Sequence, residues 1–198
     1  MSDITKIALS LLTYAVLFAG SVYMLAEPAV ASDYIGNFER VPAVENRPPQ
    51  VAMWSTTPTV SVCATAPISE IQINSAVQFW KRLGYKFNYT QYKLSQDNGP
   101  GKVCANKNPT GHILVHLVTS GVRMEDTSLA QTHFYVDNNT NEIEWAIIYL
   151  RPNVRSTVLE HELGHALGFL HYNKINHLMN EKWVQGGWDK DGLESKRQ

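Results

Sequence analysis

The chain has 198 residues, of which 44% are hydrophobic and 18% are charged. This length fits one domain with a sizeable core and leaves little room for a second. Lys and Arg number 17 against 18 Asp and Glu, and the net charge of −1 excludes the basic composition of a dedicated nucleic-acid-binding protein. Two cysteines exclude a disulfide-dense scaffold and a zinc site made of four thiolates. The unusual feature is the number of histidines, which is seven.

Residues 1–31 predict a segment that directs the chain out of the cytoplasm. Residues 7–26 carry no charge and follow Lys6, and Ala29 and Ala31 place small residues in an A-x-A arrangement. A signal peptide cleaved after Ala31 has this pattern, but about 20 apolar residues are also long enough to remain as a membrane anchor. Both alternatives stay open, and both place the rest of the chain outside the cytoplasm. Membrane contact is expected only through residues 7–26, if the segment is not cleaved.

Export also changes what the two cysteines imply. Cys63 and Cys104 would meet oxidising conditions, and we expect them to form a disulfide. The alternative is a pair of buried free thiols.

In chain order, the hydrophobic pattern predicts several strands and two helices. Residues 32–57 contain three prolines without sustained periodicity, which is typical of a linker or surface strap, and residues 58–198 form the predicted domain. The expected strands cover residues 59–63, 85–89, 113–118, 132–136 and 143–150. A loop is expected over residues 95–101 and a hairpin turn over residues 137–141.

Two capping boxes mark where the helices begin. Ser69 and Gln72 open the first helix, which ends near Gly84, and Thr157 and Glu160 have the same spacing at the start of the second. Strands with one early and one late helix predict an α+β fold, an α/β sandwich in which helices pack on a twisted sheet.

The late helix carries the residues with the clearest chemistry. His161 and His165 are four residues apart, so both imidazoles lie on one helix face and can reach a single ion. Glu162 stands beside the first of them, where its carboxylate can reach a water molecule at that ion. Gly168 suits a left-handed residue that ends the helix and turns the chain back, so that His171 supplies a third nitrogen. Three ligands with an open position are the arrangement of catalytic zinc. The alternative is a metal-free structural helix.

The segment from His161 to His171 reads H-E-x-x-H-x-x-G-x-x-H and resembles the zinc-binding motif of metzincin metallopeptidases at every fixed position. Metzincins place a methionine in a tight turn beneath the metal, and Met179, eight residues after His171, most resembles the matrixin branch. The resemblance implies a twisted mixed sheet, a zinc helix followed by a Met-turn, and an edge strand within residues 130–136 that pairs with extended substrate. No cysteine-switch motif is present, and no tyrosine follows Met179 closely.

These residues predict a zinc-dependent endopeptidase that acts on proteins or peptides outside the cytoplasm, with Glu162 as the general base. The rival hypothesis is an exported zinc-containing binding protein without catalytic activity. We expect a monomer.

Weaker patterns each leave two interpretations. Three further histidines could hold a second zinc or could be ordinary packing or surface residues, and the second interpretation is favoured: His112, His116 and His133. Alternating oxygens in the hairpin could hold calcium or serve only the turn, which is again favoured: Asp137, Asn139 and Asn141. Two tryptophans past the Met-turn could shape a substrate pocket or pack in the core: Trp183 and Trp188.

Overall fold

The computed structural model describes residues 34–35, 47–94, 103–119, 122–155 and 157–196. The predicted signal peptide or anchor, half of the predicted linker and the predicted loop over residues 95–101 lie outside this part of the chain. Within the described residues, no helix is both long enough and apolar enough to cross a membrane.

Strands and two α-helices form the framework. The strands are β1 Tyr34–Ile35, β2 Met53–Trp54, β3 Thr59–Cys63, β4 Gln91–Leu94, β5 His112–Leu117, β6 Ala130–Asp137 and β7 Glu142–Leu150. The helices are α1 Glu70–Arg82 and α2 Val158–Ala166, and two short 3₁₀ turns cover Val103–Ala105 and Trp183–Gln185.

The strands join into one mixed sheet in the order β1-β6-β7-β5-β3-β4, with β2 paired to the start of β7. The pairs β4–β3, β3–β5 and β5–β7 are parallel, whereas β6 runs antiparallel to β7. On the outer edge of β6, β1 pairs in parallel. A mostly parallel sheet with two helices agrees with the predicted α+β class.

The first helix begins as the sequence predicts. Ser69 accepts a hydrogen bond from the backbone of Gln72, and the side chain of Gln72 accepts one from the backbone of Ser69, which completes the capping box. The buried face of α1 packs against α2, where Trp80 Nε1 donates to Glu160 O at 2.8 Å. The core between the helices and the sheet is therefore continuous.

The prediction of a strand over residues 85–89 is wrong. The backbone N–H of Tyr85 bonds back to Trp80 O at the end of α1, and β3 pairs instead with β4, which begins at Gln91. The alternation reflects packing, since Tyr85 contacts Trp80 and Phe169 edge-on while Tyr89 is 80% exposed. An alternating pattern becomes a strand only where a neighbouring strand is free to pair with it.

Candidate metal centre

Helix α2 brings the first two histidines of the motif together. His161 and His165 are both buried, and their Nε2 atoms lie 3.0 Å apart. The opposite side of the helix enters the core through its apolar residues, which are Leu159, Leu163, Ala166 and Leu167. The predicted capping box at Thr157 is wrong, because this residue has φ +71° and makes no side-chain capping bond. A capping side chain needs extended backbone at that position.

Gly168 ends the helix and positions the third histidine. Its φ is +90°, and a Cβ atom there would collide with the backbone carbonyl of Ala52. Only glycine meets both conditions at low cost. The chain then turns back, and His171 Nε2 lies 3.2 Å from His165 Nε2.

A strap formed by residues 49–54 holds this turn in place. Val51 N donates to Gly168 O at 2.9 Å, and Leu170 N donates to Pro49 O at 2.8 Å. Trp54 Nε1 donates to Ala166 O at 2.8 Å, which satisfies a carbonyl at the end of α2. The described end of the predicted linker thus contacts the histidine turn directly.

Hydrogen bonds define which ring nitrogen carries the proton in the first two imidazoles. His161 Nδ1 lies 2.6 Å from Leu178 O, and His165 Nδ1 lies 2.7 Å from Phe169 O. A carbonyl oxygen only accepts, so each Nδ1 carries the hydrogen and each neutral ring keeps a lone pair on Nε2. Two lone pairs that face each other at 3.0 Å repel unless a cation lies between them. The orientation therefore fits a metal ion.

The spacing of the three nitrogens also fits zinc. Zn–N distances of about 2.0–2.1 Å in a tetrahedral site place two nitrogens about 3.3 Å apart. The observed Nε2 separations are 3.0 and 3.2 Å, and ligand atoms of His161, His165 and His171 all lie within 4.8 Å of one another. The donor set, three imidazoles, is one that zinc accepts readily.

Burial keeps these imidazoles in the form that binds a metal. Burial, aided by the neighbouring charge of His171, lowers the pKa of His161 from 6.5 to about 3. Burial also lowers the pKa of His171 to about 4, and that of His165 well below 6.5. All three rings are therefore neutral at neutral pH, with lone pairs available for coordination.

The carboxylate of Glu162 is held by a residue that the sequence analysis did not identify. Glu162 is fully buried, and its Oε2 accepts a hydrogen bond of 2.6 Å from Thr132 Oγ1 on β6. Thr132 Oγ1 also lies 3.2 Å from Glu162 O. A polar side chain on an otherwise apolar strand face is a sequence signal for this contact, but it does not name the partner.

A tight turn beneath α2 contains Met179. His177 Nδ1 accepts a hydrogen bond from Met179 N at 3.0 Å, and His177 Nε2 donates to Asp191 O at 3.1 Å. Met179 is fully buried, and its Sδ would lie 2.5 Å from a Cβ on Gly164. Glycine inside the helix, which usually destabilises it, is thus explained by the close approach of this methionine.

The outer edge of β6 runs past the same place. Thr132 pairs with Tyr34 and His133 pairs with Ile35 in the parallel β1–β6 ladder. Because Thr132 also contacts Glu162, backbone that pairs with this edge passes close to the candidate metal centre.

The three further histidines considered for a second zinc site do not converge on one point. Ser61 Oγ lies 3.0 Å from His112 Nδ1, and Cys63 Sγ lies 3.3 Å from His116 Nε2. The ring of His133 packs edge-on against Tyr149 instead. The three histidines therefore have different neighbours and do not form one metal site with each other.

Other predicted residues have clear positions. Cys63 and Cys104 form the expected disulfide. In the hairpin, Asp137 Oδ1 accepts from Asn139 N at 2.7 Å and Asn141 Nδ2 donates to Val51 O at 3.0 Å, which supports the turn interpretation.

The two tryptophans past the tight turn differ in their surroundings. The guanidinium of Arg155 lies 4.6 Å from the ring centroid of Trp183, which is partly buried against the core. Trp188 is 54% exposed and contacts Phe79. Neither ring is fully buried, so neither is a simple core residue.

Comparisons with known proteins give a likeness to solved structures but none to a family model or a curated protein. No protein-family model matches the chain, and no curated protein matches it. Among solved structures, the chain is similar to metalloproteinase-II from Bacteroides fragilis, at 18% sequence identity and a TM-score of 0.42. The match covers 85% of this chain and 54% of that chain, so the chain spans about half the length of that structure.

Proposed function

We propose that the protein is a zinc-dependent endopeptidase whose zinc ligands are His161, His165 and His171. The observation that carries the proposal is the convergence of three Nε2 atoms: His165 Nε2 lies 3.0 Å from His161 Nε2 and 3.2 Å from His171 Nε2. When bound there, a zinc ion supplies a Lewis acid that polarises a peptide carbonyl and lowers the pKa of water.

Glu162 is the general base in this proposal. It directly follows the ligand His161 on α2 and is buried, so its carboxylate is shielded from bulk water. Glu162 accepts the proton of the attacking water and passes it to the leaving amine. The hydroxyl of Thr132 orients the carboxylate through the bond to Oε2. In the same proposal, the tight turn that contains Met179 is the equivalent of the Met-turn of metzincins, of the matrixin type.

The outer edge of β6 is the proposed substrate-binding strand. An extended peptide adds to a strand edge through backbone hydrogen bonds, which makes the interaction largely independent of side chains. The contact from Thr132 to Glu162 supports this choice, because it brings that edge to the proposed base. Since β1 pairs with the same edge, a substrate has to displace residues 34–35. The proposed substrates are proteins or peptides outside the cytoplasm, reached by export through residues 1–31.

Zinc content and cleavage of a peptide library test the proposal. We expect about one zinc per chain, cleavage that a chelator abolishes, and recovery when zinc is added. His165→Ala should lose both zinc and cleavage, whereas His112→Ala, a matched change at a histidine outside the cluster, should keep both.

Two outcomes separate the rival functions. Zinc binding without cleavage of any library peptide would support the non-catalytic binding protein. Cleavage that persists without any bound metal would overturn the metallopeptidase proposal.

A further inference from the structure

A second cluster of metal-ligating atoms lies on the other face of the sheet. Val62 on β3 and Val115 on β5 enter the core beneath the helices, so the next residues, Cys63 and His116, face away from it. Cys63 Sγ lies 3.3 Å from His116 Nε2. With Cys104, the potential ligand atoms of this cluster all lie within 4.8 Å of one another.

The contact between His116 and the disulfide differs from ordinary packing. A disulfide sulfur carries no hydrogen and is only a weak acceptor, so a ring nitrogen gains little from this approach. A tetrahedral zinc site with Zn–S of about 2.3 Å and Zn–N of about 2.05 Å places sulfur and nitrogen about 3.5 Å apart. The observed 3.3 Å is close to this separation.

We infer that Cys63, Cys104 and His116 form a redox-dependent metal site, which binds a thiophilic divalent ion such as zinc when the disulfide is reduced. A phosphine or dithiol reductant supplies two electrons, the S–S bond breaks, and the sulfurs take up two protons. Metal binding then releases both protons to solvent as each thiolate coordinates. A phosphine ends as its oxide, whose oxygen comes from the water molecule that supplied the two protons. A dithiol supplies the two protons itself and ends as its own disulfide.

Disulfide and metal exclude each other at this site. Bonded sulfurs lie about 2.05 Å apart, whereas two thiolates on one tetrahedral zinc lie about 3.8 Å apart. β3 pairs with a strand on each side, which holds Cys63 in place. The increase in the distance between the two sulfurs therefore requires Cys104 to move, and this residue lies in the short 3₁₀ turn Val103–Ala105 and is 7% exposed.

The site is independent of the proposed peptidase. Its residues lie on β3, β5 and a 3₁₀ turn and share none with the cluster on α2 and its following turn. Its test therefore needs no measurement of cleavage.

Cobalt titration with optical spectroscopy tests the inference. The oxidised protein should bind about one Co²⁺ per chain, at its imidazole cluster, without a thiolate-to-cobalt charge-transfer band in the near ultraviolet. After reduction with a phosphine and its removal under argon, the full chain should bind about two, and the band should appear. Circular dichroism of the same samples checks that the reduced chain stays folded.

Variants decide which residues hold the second ion. His116→Ala should weaken the second site at least about tenfold, and Cys104→Ser should remove the two-thiolate band. His133→Ala changes a half-buried histidine on the same sheet that packs against Tyr149 and lies outside this cluster, and it should leave the titration unchanged. A reduced chain that binds one ion without the band would overturn the inference. So would a band of equal strength and affinity in His116→Ala, because unfolded thiols alone could produce it.

Discussion

At the scale of single residues, hydrogen bonds determine which ring nitrogen of each motif histidine can bind a metal, and the spacing of the motif alone does not. His161 and His165 donate from Nδ1 to carbonyls that come from different segments, Leu178 in the tight turn and Phe169 after the helix. These bonds orient both rings and set the tautomer that leaves Nε2 for a metal. The spacing of four residues brings the two rings together, and the two carbonyls hold them in the orientation and tautomer in which Nε2 can bind a metal.

Thr132 gives a prediction at the same scale. Thr132→Val keeps the shape of the side chain but removes the hydroxyl that donates to Glu162 Oε2. A hydrogen bond to a charged group contributes about 1.5–3 kcal/mol, so we expect kcat for peptide cleavage to fall about tenfold or more, with KM and zinc content nearly unchanged. Thr132→Ser should recover most of the rate. Full kcat in the valine variant, or no recovery with serine, would show that Thr132 does not position the base.

At the scale of elements, α2 depends on segments far away in the chain. The strap over residues 49–54 bonds to the turn after the helix, and α1 bonds to its first turn through Trp80. The close approach of Ala52 to Gly168 leaves no room for a side chain. The position of His171 therefore depends on a strap that lies more than a hundred residues earlier in the sequence.

Two glycines with positive φ give a matched test of this dependence. Gly168→Ala adds both left-handed strain and a collision with Ala52, whereas Gly111→Ala adds the strain alone, because nothing lies within 4 Å of its Cβ position. Strain of this kind costs about 1–2 kcal/mol. We expect Gly168→Ala to lower the free energy of unfolding by clearly more than Gly111→Ala, and to weaken zinc binding as well. Urea unfolding and zinc titration measure both, and equal effects of the two variants would contradict the account.

At the scale of the whole molecule, burial lowers the pKa of every histidine. Burial is the largest cause of a lowered pKa at seven sites: His112, His116, His133, His161, His165, His171 and His177. The fold therefore favours neutral imidazoles on both faces of the sheet.

This shared shift predicts how stability depends on pH. The histidines of the unfolded chain become protonated near pH 6.5, whereas the buried histidines of the folded chain stay neutral. The unfolded state therefore binds more protons than the folded state as pH falls. Each fully buried imidazole lowers the free energy of unfolding by up to about 1.4 kcal/mol per pH unit below about pH 6.5, until the folded pKa is reached. Metal-free protein in chelator should lose stability steadily from about pH 6.5 to about pH 4, as measured by urea unfolding. A constant or rising urea midpoint over this range would contradict the prediction.

The sequence predicts this molecule well wherever the causes are local. The capping box at Ser69, the strand Thr59–Cys63 and the glycine turn at Gly168 are each specified by a few adjacent residues, and all three are present. The strand over residues 85–89 fails because pairing depends on which neighbour β3 takes, and the sequence pattern does not show this.

The same distinction holds within the candidate site. The spacing of the motif brings the three imidazoles to one point. The contact from Thr132 to Glu162 and the strap against Gly168 join residues far apart in the chain, so no local pattern predicts them.

In the proposed mechanism Glu162 acts as a base beside a metal held by three histidines, and a comparison of three variants of the chain separates this role from metal binding. Zinc content and peptide cleavage are measured side by side for the unaltered chain, for Glu162→Ala, and for Glu160→Ala as the control on the same helix. We expect all three to keep about one zinc per chain, with cleavage reduced at least about 100-fold in Glu162→Ala alone. A Glu162→Ala variant that cleaves peptides at the unaltered rate would contradict the account.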